Sequence, residues 1–353
     1  MMLAAGGMTV RIGSASAAEY WPSATSWTSA TSSAAGLNAV RLEEALAYGR
    51  ARGGSGLVVR GGRAVGKWGD QTYPYVLRST TKSLGSIMLG LAIRDGKVRL
   101  DTKLASKLAP ELGVIGPLPA AADWVKQVTA WHAASHSGGF EKIGGTPPMR
   151  APPGTEWFYS DGGPNWLADF LTVAYMRDLR SVLREKVLGP MLIPTDRVVW
   201  RANLYRDKRL RGVPRREFGS GISTSVDVMA RIGLMLLRDG RWQSARILPT
   251  GYARLAASAQ AGLASLPCRD PDPKKCPGAN RRYGLLFWNN ADGSIPDLPR
   301  DAYWAAGQGT SFFLMIPSLD MVAARAGQEW PSSSPGERVT APFFSLLARA
   351  ASG

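Results

Sequence analysis

Histidine and cysteine are scarce in this chain, and long apolar runs are missing. The 353 residues include 2 histidines and 2 cysteines, too few for a disulfide-stapled mini-domain or a Cys/His zinc module. No apolar run reaches the roughly 18 to 20 residues that a membrane-spanning helix needs. The sequence therefore predicts no transmembrane segment and no metal or organic cofactor, and it leaves little room for a histidine general base.

Acidic side chains are also in the minority. The chain has 43 Lys and Arg against 27 Asp and Glu, a net charge of +16, which can indicate a nucleic-acid-binding protein. However, the arginines are spread along the chain, and the densest basic stretch, residues 197–216, includes Asp207 and has no nucleic-acid-binding motif. We therefore predict a solvated basic surface and expect no nucleic-acid partner. An anionic surface bound through salt-dependent contacts is the alternative.

Two features bear on the compartment. Ala15, Ser16 and Ala17 fit a signal-peptidase site, but residues 1–14 lack a basic start and an apolar core. Residues 1–35 are therefore either a signal remnant or a disordered tail. Cys268 and Cys276 flank a Pro-rich loop and predict a local disulfide, which needs an oxidising compartment; two free thiols are the alternative. A periplasmic or secreted protein is favoured over a cytoplasmic one.

The order of predicted elements indicates the fold class. Helices are predicted over about residues 38–52 and 80–95, with strands at 57–59 and 64–68 between them. Later strands are predicted at 283–288, 310–316 and 321–326, before a C-terminal helix. This is an α+β pattern: an antiparallel sheet flanked by the terminal helices, with a mostly helical region inserted. We assign residues 36–78 and 216–353 to the sheet domain and 79–215 to the helical domain, with the active site at their interface.

One motif offers a nucleophile that does not need histidine. Ser79 and Lys82 form the only S-x-x-K of the chain, where an extended segment enters its most apolar helix. Residues i and i+3 share a helix face, so Lys82 points back toward the Ser79 hydroxyl. The helix N-terminus favours an alkoxide, and burial pushes a lysine toward the neutral form that accepts a proton. A serine N-cap beside an exposed lysine is the simpler alternative.

Two later segments fit the same chemistry. Tyr159 follows a Pro-Gly turn, and a tyrosine beside a lysine can carry a proton. Residues 305–311 are small and flexible and lead into a strand. One of their backbone N–H groups, together with that of Ser79, would form an oxyanion hole. Turn formation alone is the alternative explanation for Gly307 and Gly309. The two histidines, His132 and His136, are expected to be structural.

The three segments, in this order and at this spacing, resemble the serine β-lactamase and penicillin-binding superfamily. The similarity is to its class C-like branch, which includes serine esterases and 6-aminohexanoate-dimer hydrolases, and it spans about residues 37–350. The resemblance implies Ser79 as the acylated nucleophile, Lys82 as its proton partner and Tyr159 as general base and acid. It also implies the backbone N–H groups of Ser79 and Gln308 as the oxyanion hole.

Two departures from the family pattern bear on the substrate. Residues 307–309 replace the K-T-G tripeptide whose cation binds a substrate carboxylate in β-lactamases, which weakens the β-lactam and peptide alternatives. Asp161 replaces the usual asparagine and would hold Lys82 in its charged form. The sequence thus predicts a serine hydrolase acting on a small ester or amide, with Gly307, Gly309 and Asp161 on the substrate side. A β-lactamase or D-alanyl carboxypeptidase, or a non-catalytic binding relative, are the alternatives.

Overall fold

The computed structural model describes residues 19–108, 119–142, 149–272, 274–331 and 339–351. Within these ranges, no helix is both long and apolar enough to cross a membrane. The helices are α1 (Ala39–Ala51), α2 (Thr81–Arg94), α3 (Ala105–Leu108), α4 (Pro119–Gln127), α5 (Ala130–Ala134), α6 (Gly162–Tyr175), α7 (Leu179–Leu183), α8 (Val226–Leu237), α9 (Tyr252–Ala257) and α10 (Ala341–Ala351). The strands are β1 (Ser55–Arg60), β2 (Arg63–Trp68), β3 (Tyr75–Val76), β4 (Val198–Trp200), β5 (Arg209–Leu210), β6 (Val213–Pro214), β7 (Ile222–Thr224), β8 (Arg241–Trp242), β9 (Ala245–Arg246), β10 (Trp288–Asn289), β11 (Tyr303–Gly307), β12 (Ser311–Ile316) and β13 (Met321–Ala326).

The main sheet joins both ends of the chain. Its six strands lie in the order β10-β11-β12-β13-β1-β2, and every neighbouring pair is antiparallel. The early strand β1 therefore pairs with the last strand β13, as the sequence predicts. The α+β class is confirmed, and helices α1 and α2 lie where the apolar periodicity places them.

Two hydrophobic cores cover the two faces of this sheet. Val58 and Phe312 pack with α1 and α10 on one face, whereas Leu57 and Phe313 pack with α2, α6 and α8 on the other. Successive strand residues point to opposite faces, so each strand contributes to both cores. Because both faces are covered by helices, β12 is a continuous apolar run rather than an alternating one.

Two sequence-based predictions of local structure need correction. Residues 283–288 do not form a strand: Gly284 N donates to Phe287 O at 2.8 Å and Leu286 has φ +62°, so the chain turns and β10 begins only at Trp288. Residues 305–307 are not a flexible lead but the end of strand β11, in which Ala305 pairs with Phe313 of β12. Ala305 is buried and Ala306 and Gly307 are half-buried, so small residues fit the end of this packed strand.

The described part of the predicted N-terminal tail lies along the sheet. Ala30 N donates to Ala64 O of β2 at 2.9 Å, and the Trp27 indole donates to Asp227 of α8 at 2.6 Å. Trp21 also packs edge-to-face on Trp242, with ring centroids 5.1 Å apart, so both Trp21 and Trp27 pack against the folded part of the chain. Residues 1–18, including the signal-peptidase pattern, lie outside the described residues.

The densest basic stretch is partly internal. Arg206 and Arg215 both pair with the buried carboxylate of Asp169, and Arg216 pairs with Asp178 at 2.5 Å. The prediction of a solvated basic surface is therefore wrong for these three arginines, whose side chains are at most 10% exposed.

A small sheet connects the two parts of the chain that the sequence assigned to separate domains. Its strand order is β3-β7-β4, and β4 comes from the region between residues 79 and 215. That region otherwise contains α2 to α7 and the short hairpin of β5 and β6. The boundary between a sheet domain and a helical domain remains our interpretation. The small sheet matters for the site because its β3 leads directly into residue 79.

Candidate active site

A sharp turn presents Ser79 at the head of α2. Leu77 is bonded through its N–H to Ile222 O of β7 at 2.9 Å, and the next residue, Arg78, has φ +50°. A non-glycine residue in the left-handed region costs roughly 1 kcal/mol or more and is common at functional sites. Thr80 then anchors the turn to the main sheet, because its hydroxyl donates to Ser311 O at 2.9 Å.

Lys82 lies on the first turn of α2 with its ammonium group buried beside Ser79. Its side chain is 1% exposed. The Nζ atom donates to Ser79 Oγ at 3.2 Å and to Gly219 O at 3.0 Å, and it forms a short ion pair with Asp161. A charged lysine has three N–H donors, and these three acceptors satisfy them all.

The contacts of Lys82 decide which protonation state it holds. Burial lowers the pKa of Lys82, but the Asp161 carboxylate and Tyr159 more than offset this effect, so the pKa lies above the ordinary value of a lysine. The prediction that burial pushes this lysine toward its neutral form is therefore wrong. The alternative expectation, that Asp161 holds Lys82 in its charged form, agrees with these contacts. Asp161 occupies the N-cap position of α6, but its side chain pairs with Lys82 and makes no capping hydrogen bond.

Tyr159 is held over the same ammonium group by aromatic packing. It stacks on Trp288, with ring centroids 5.7 Å apart and an interplanar angle of 25°. The Nζ atoms of Lys82 and Lys275 lie 4.9 and 5.1 Å from the centroid of its ring. Two positive charges at this range favour negative charge on the phenol oxygen.

His136 supports this arrangement without being at its centre. Its Nδ1 accepts from Ser160 N at 3.3 Å and its Nε2 bonds the Tyr283 hydroxyl at 3.0 Å, on either side of Tyr159. Burial, followed by the nearby lysine ammonium groups, holds the pKa of His136 well below its ordinary value. The imidazole is therefore neutral and structural, as expected. Within the described ranges, no cluster of His, Cys, Asp and Glu could hold a metal ion.

Close packing at Gly307 brings the end of β11 against the turn that contains Ser79. A Cβ on Gly307 would lie 2.2 Å from Leu77 O and 2.7 Å from Thr80 Oγ1, so only glycine permits this approach. The next residue, Gln308, and Ser79 line one cavity of about 570 Å³. Gly309 has φ +81° and completes the turn into β12. The structure thus brings Ser79, Gln308 and Gly307 together as the motifs predict.

The cavity has a cationic wall that the sequence analysis missed. The structure joins Cys268 and Cys276 in a disulfide, and the loop between them presents Lys275 to the cavity, paired with Asp272 at 2.9 Å. Lys142 also lines the cavity. The sequence could have indicated this wall, because Lys275 lies between two cysteines that are close enough in sequence to form a local disulfide. Lys142 carries no such signal, because nothing near it in the sequence points to the site.

Comparisons with known proteins agree with this geometry. A candidate β-lactamase from Bacteroides dorei superposes with a TM-score of 0.68 at 13% identity, covering 88% of this chain and 97% of that one. A candidate 6-aminohexanoate-dimer hydrolase from Bacillus anthracis gives a TM-score of 0.66 at 16% identity, covering 91% and 87%. EstCE1, a hydrolase with promiscuous acyltransferase activity, gives 0.62 at 16% identity, covering 88% and 98%. At these identities the similarity shows a shared fold.

Sequence comparison supplies the family. No curated protein sequence matches the chain significantly. The family model for Beta-lactamase, however, matches residues 39–340, which include every residue of the site described above. This protein is therefore a member of the Beta-lactamase family, in the superfamily of serine β-lactamases, penicillin-binding proteins and related hydrolases.

Proposed function

We propose that this protein is a serine hydrolase that cleaves a small ester or amide through an acyl-enzyme on Ser79. The observation that carries the proposal is the Lys82 ammonium group, which bonds Ser79 Oγ at 3.2 Å while it lies 4.9 Å from the ring centroid of Tyr159. A nucleophile, a fixed positive charge and a proton carrier thus meet at the N-terminus of one buried helix. This is the arrangement that covalent catalysis without histidine requires.

The proposed reaction has two halves. Ser79 Oγ attacks the carbonyl carbon and gives its hydroxyl proton to the Tyr159 phenolate. Lys82, whose three donors are engaged, remains charged and stabilises the oxygens of Ser79 and Tyr159. The backbone N–H groups of Ser79 and Gln308 hold the tetrahedral oxyanion. Tyr159 then returns the proton to the leaving group, and the acyl-enzyme forms. In the second half, water attacks the acyl carbon and gives a proton to the Tyr159 phenolate. Tyr159 passes this proton to Ser79 Oγ as the ester bond breaks, which releases the acid and regenerates Ser79 and the phenolate.

Steady-state hydrolysis of p-nitrophenyl acetate tests the proposal. We expect Ser79→Ala to reduce the rate to the uncatalysed background and Tyr159→Phe to lower kcat by about 10² to 10⁴, the contribution of a general acid-base group. Two matched controls should retain most of the activity. Ser83→Ala removes a hydroxyl on the same helix that donates to Leu286 O, and Tyr283→Phe removes the phenol that bonds His136. Full activity in Ser79→Ala would refute the proposal.

A β-lactamase or D-alanyl carboxypeptidase is the second candidate, and the cationic wall of the cavity favours it. Lys142, Lys274 and Lys275 line the cavity that contains Ser79, so a substrate carboxylate can find a positive charge although the K-T-G tripeptide is missing. Turnover of nitrocefin, together with a penicillin adduct on Ser79, supports this candidate. Ester hydrolysis without any penicillin adduct supports the first.

We also propose that the protein works in an oxidising compartment, periplasmic or extracellular. The disulfide between Cys268 and Cys276 supports this proposal, since such bonds persist where thiols are not kept reduced. Fractionation of the native host, with thiol alkylation before lysis, tests it. Free thiols in the native protein would contradict the proposal.

A further inference from the structure

A second cleft opens beside the catalytic cavity, on the other side of Gln308. Its volume is about 680 Å³. Gln308 and Glu329 line both the cleft and the cavity that contains Ser79, so a bound molecule can extend from one into the other. We call it the arginine cleft; the residues that define it are Arg52, Tyr73, Tyr75, Arg78, Gln308 and Glu329.

A buried arginine beneath this cleft holds its walls in place. Arg325 of β13 is fully buried, and its guanidinium donates to Gly309 O at 2.7 Å, to Gln328 O at 2.6 Å and to Gly53 O at 3.2 Å. These three acceptors belong to three separate segments that line the cleft. The cleft is therefore shaped before anything binds, which reduces the entropic cost of binding.

The charge of Arg325 is not balanced by a carboxylate. Among the residues that the structure describes, no Asp or Glu pairs with it, and burial lowers its pKa to about 10. At neutral pH the guanidinium is still protonated. A positive charge in a poorly solvated position acts over a longer range than one at the surface, because less water screens it.

Two further arginines face the cleft directly. Arg78 precedes Ser79, and in the described ranges its guanidinium has no hydrogen-bond or ion-pair partner. Arg52 lines the cleft, stacks on the Tyr48 ring 3.5 Å from its centroid, and donates to Tyr48 O at 3.3 Å. Among the described residues, Arg52 and Arg78 in the wall of the cleft and Arg325 beneath it are accompanied by one carboxylate, that of Glu329. The cleft is thus net positive and has an aromatic wall, since the rings of Tyr73 and Tyr75 lie 4.6 Å apart.

We propose that the arginine cleft binds a carboxylate at the far end of the substrate's acyl chain. This inference rests on the proposed function, in which Tyr159 protonates the leaving group. The leaving group must therefore face Tyr159, and the acyl chain extends away from it, past Gln308 toward Arg78. The tyrosine rings contact the methylene groups of the chain, and the arginines bind its terminal carboxylate.

A pair of p-nitrophenyl esters that differ only at the far end of the acyl chain tests the proposal. One is the p-nitrophenyl monoester of adipic acid, which ends in a carboxylate, and the other is its neutral methyl ester. We expect wild-type kcat/KM to be about tenfold higher for the anionic ester, the gain of one charge-assisted hydrogen bond. Raising the KCl concentration should lower this ratio, because salt screens the attraction.

Substitutions in the cleft test which residues cause the preference for the anionic ester. Arg78→Asn removes the charge while asparagine tolerates the positive φ, and it should reduce the anionic-to-neutral ratio about tenfold, through KM rather than kcat. Arg78→Lys should restore most of the ratio, and Glu329→Gln should raise it about twofold to threefold. Arg99→Gln, at a surface arginine that is 82% exposed and outside both cavities, should leave the ratio unchanged.

Failure of this inference is distinguishable from failure of the proposed function. If both esters are hydrolysed and both rates depend on Ser79, but the ratio is near one or does not respond to Arg78→Asn, the cleft does not bind the carboxylate. If neither rate depends on Ser79, the proposed function itself fails. A thermal melt of each variant identifies losses that come from unfolding.

Discussion

Replacing Asp161 by asparagine tests whether Lys82 acts as a fixed positive charge. The carboxylate and the ammonium are in direct contact, and Lys82 is 1% exposed. Two unit charges 4 Å apart at an effective dielectric constant of about 20 attract by about 4 kcal/mol, and one pKa unit corresponds to about 1.4 kcal/mol. Loss of the charge should therefore lower the pKa of Lys82, although the asparagine oxygen still accepts a hydrogen bond.

The consequence for activity follows from the charge that the mechanism needs. If catalysis requires charged Lys82, the basic limb of the kcat/KM profile must move to lower pH in Asp161→Asn. Initial rates of p-nitrophenyl acetate hydrolysis from about pH 6 to about pH 11, corrected for spontaneous hydrolysis, measure this shift. Asp101→Asn, at a surface carboxylate that is 71% exposed, should not move the limb. An unmoved limb in Asp161→Asn, or higher activity at alkaline pH, would refute the reasoning.

The same substitution has a signature in stability. In the wild type the pKa of Lys82 is raised, so its stabilisation is fully present below the unfolded value of about 10.4 and is lost as the pH rises through the folded value. In Asp161→Asn burial dominates and the folded pKa falls below the unfolded one. The variant should then be less stable by about 3 kcal/mol at pH 7, and the deficit should shrink as the pH approaches about 10. Urea unfolding at several pH values measures it.

Three further predictions concern the surroundings of the site. In Gly307→Ala, the Cβ would lie 2.2 Å from Leu77 O, which displaces the end of β11, and kcat should fall about a hundredfold, as when an oxyanion donor is lost; a near-normal kcat would contradict this. Replacing Cys268 and Cys276 by serine opens a loop closed over 8 residues, and calorimetry should show a loss of about 2 to 3 kcal/mol; an unchanged melting temperature would be the contrary result. Because the pKa of His136 lies well below its ordinary value, the wild type should lose about 1.4 kcal/mol per pH unit below about pH 6.5, where the unfolded chain gains a proton. His136→Gln should lack this component in urea titrations, and identical slopes would contradict the assignment.

The chemistry of the site was more predictable from sequence than its charge state. The S-x-x-K spacing places Ser79 and Lys82 on one helix face through local geometry alone, and the structure has the hydrogen bond that this geometry implies. Whether Lys82 is neutral or charged depends on Asp161, which lies 79 residues away in sequence. Burial and pairing have opposite effects on the pKa of Lys82, and the sequence supported both expectations, so the observed contact with Asp161 was needed to decide between them.

Packing between distant segments accounts for the other corrections. Residues 305–307 have no strong β propensity, and they form a strand because β12 pairs with them and Gly307 fits against the backbone of Leu77. The sequence around Arg206 and Arg215 is typical of a protein surface, yet both arginines form ion pairs with Asp169 of α6 in the interior. In each case a long-range partner overrides the local pattern.

The central claim is that Ser79 becomes acylated during turnover. Rapid quenching of the enzyme with p-nitrophenyl acetate, followed by intact-mass and peptide mass spectrometry, tests this most directly. We predict one added acetyl group on the peptide that contains Ser79, an accumulation in Tyr159→Phe if deacylation slows more than acylation, and no adduct in Ser79→Ala. An acetyl group on another residue during full turnover, or hydrolysis that persists in Ser79→Ala, would contradict the claim. The absence of any adduct and any activity with activated esters would instead indicate a non-catalytic member of the family.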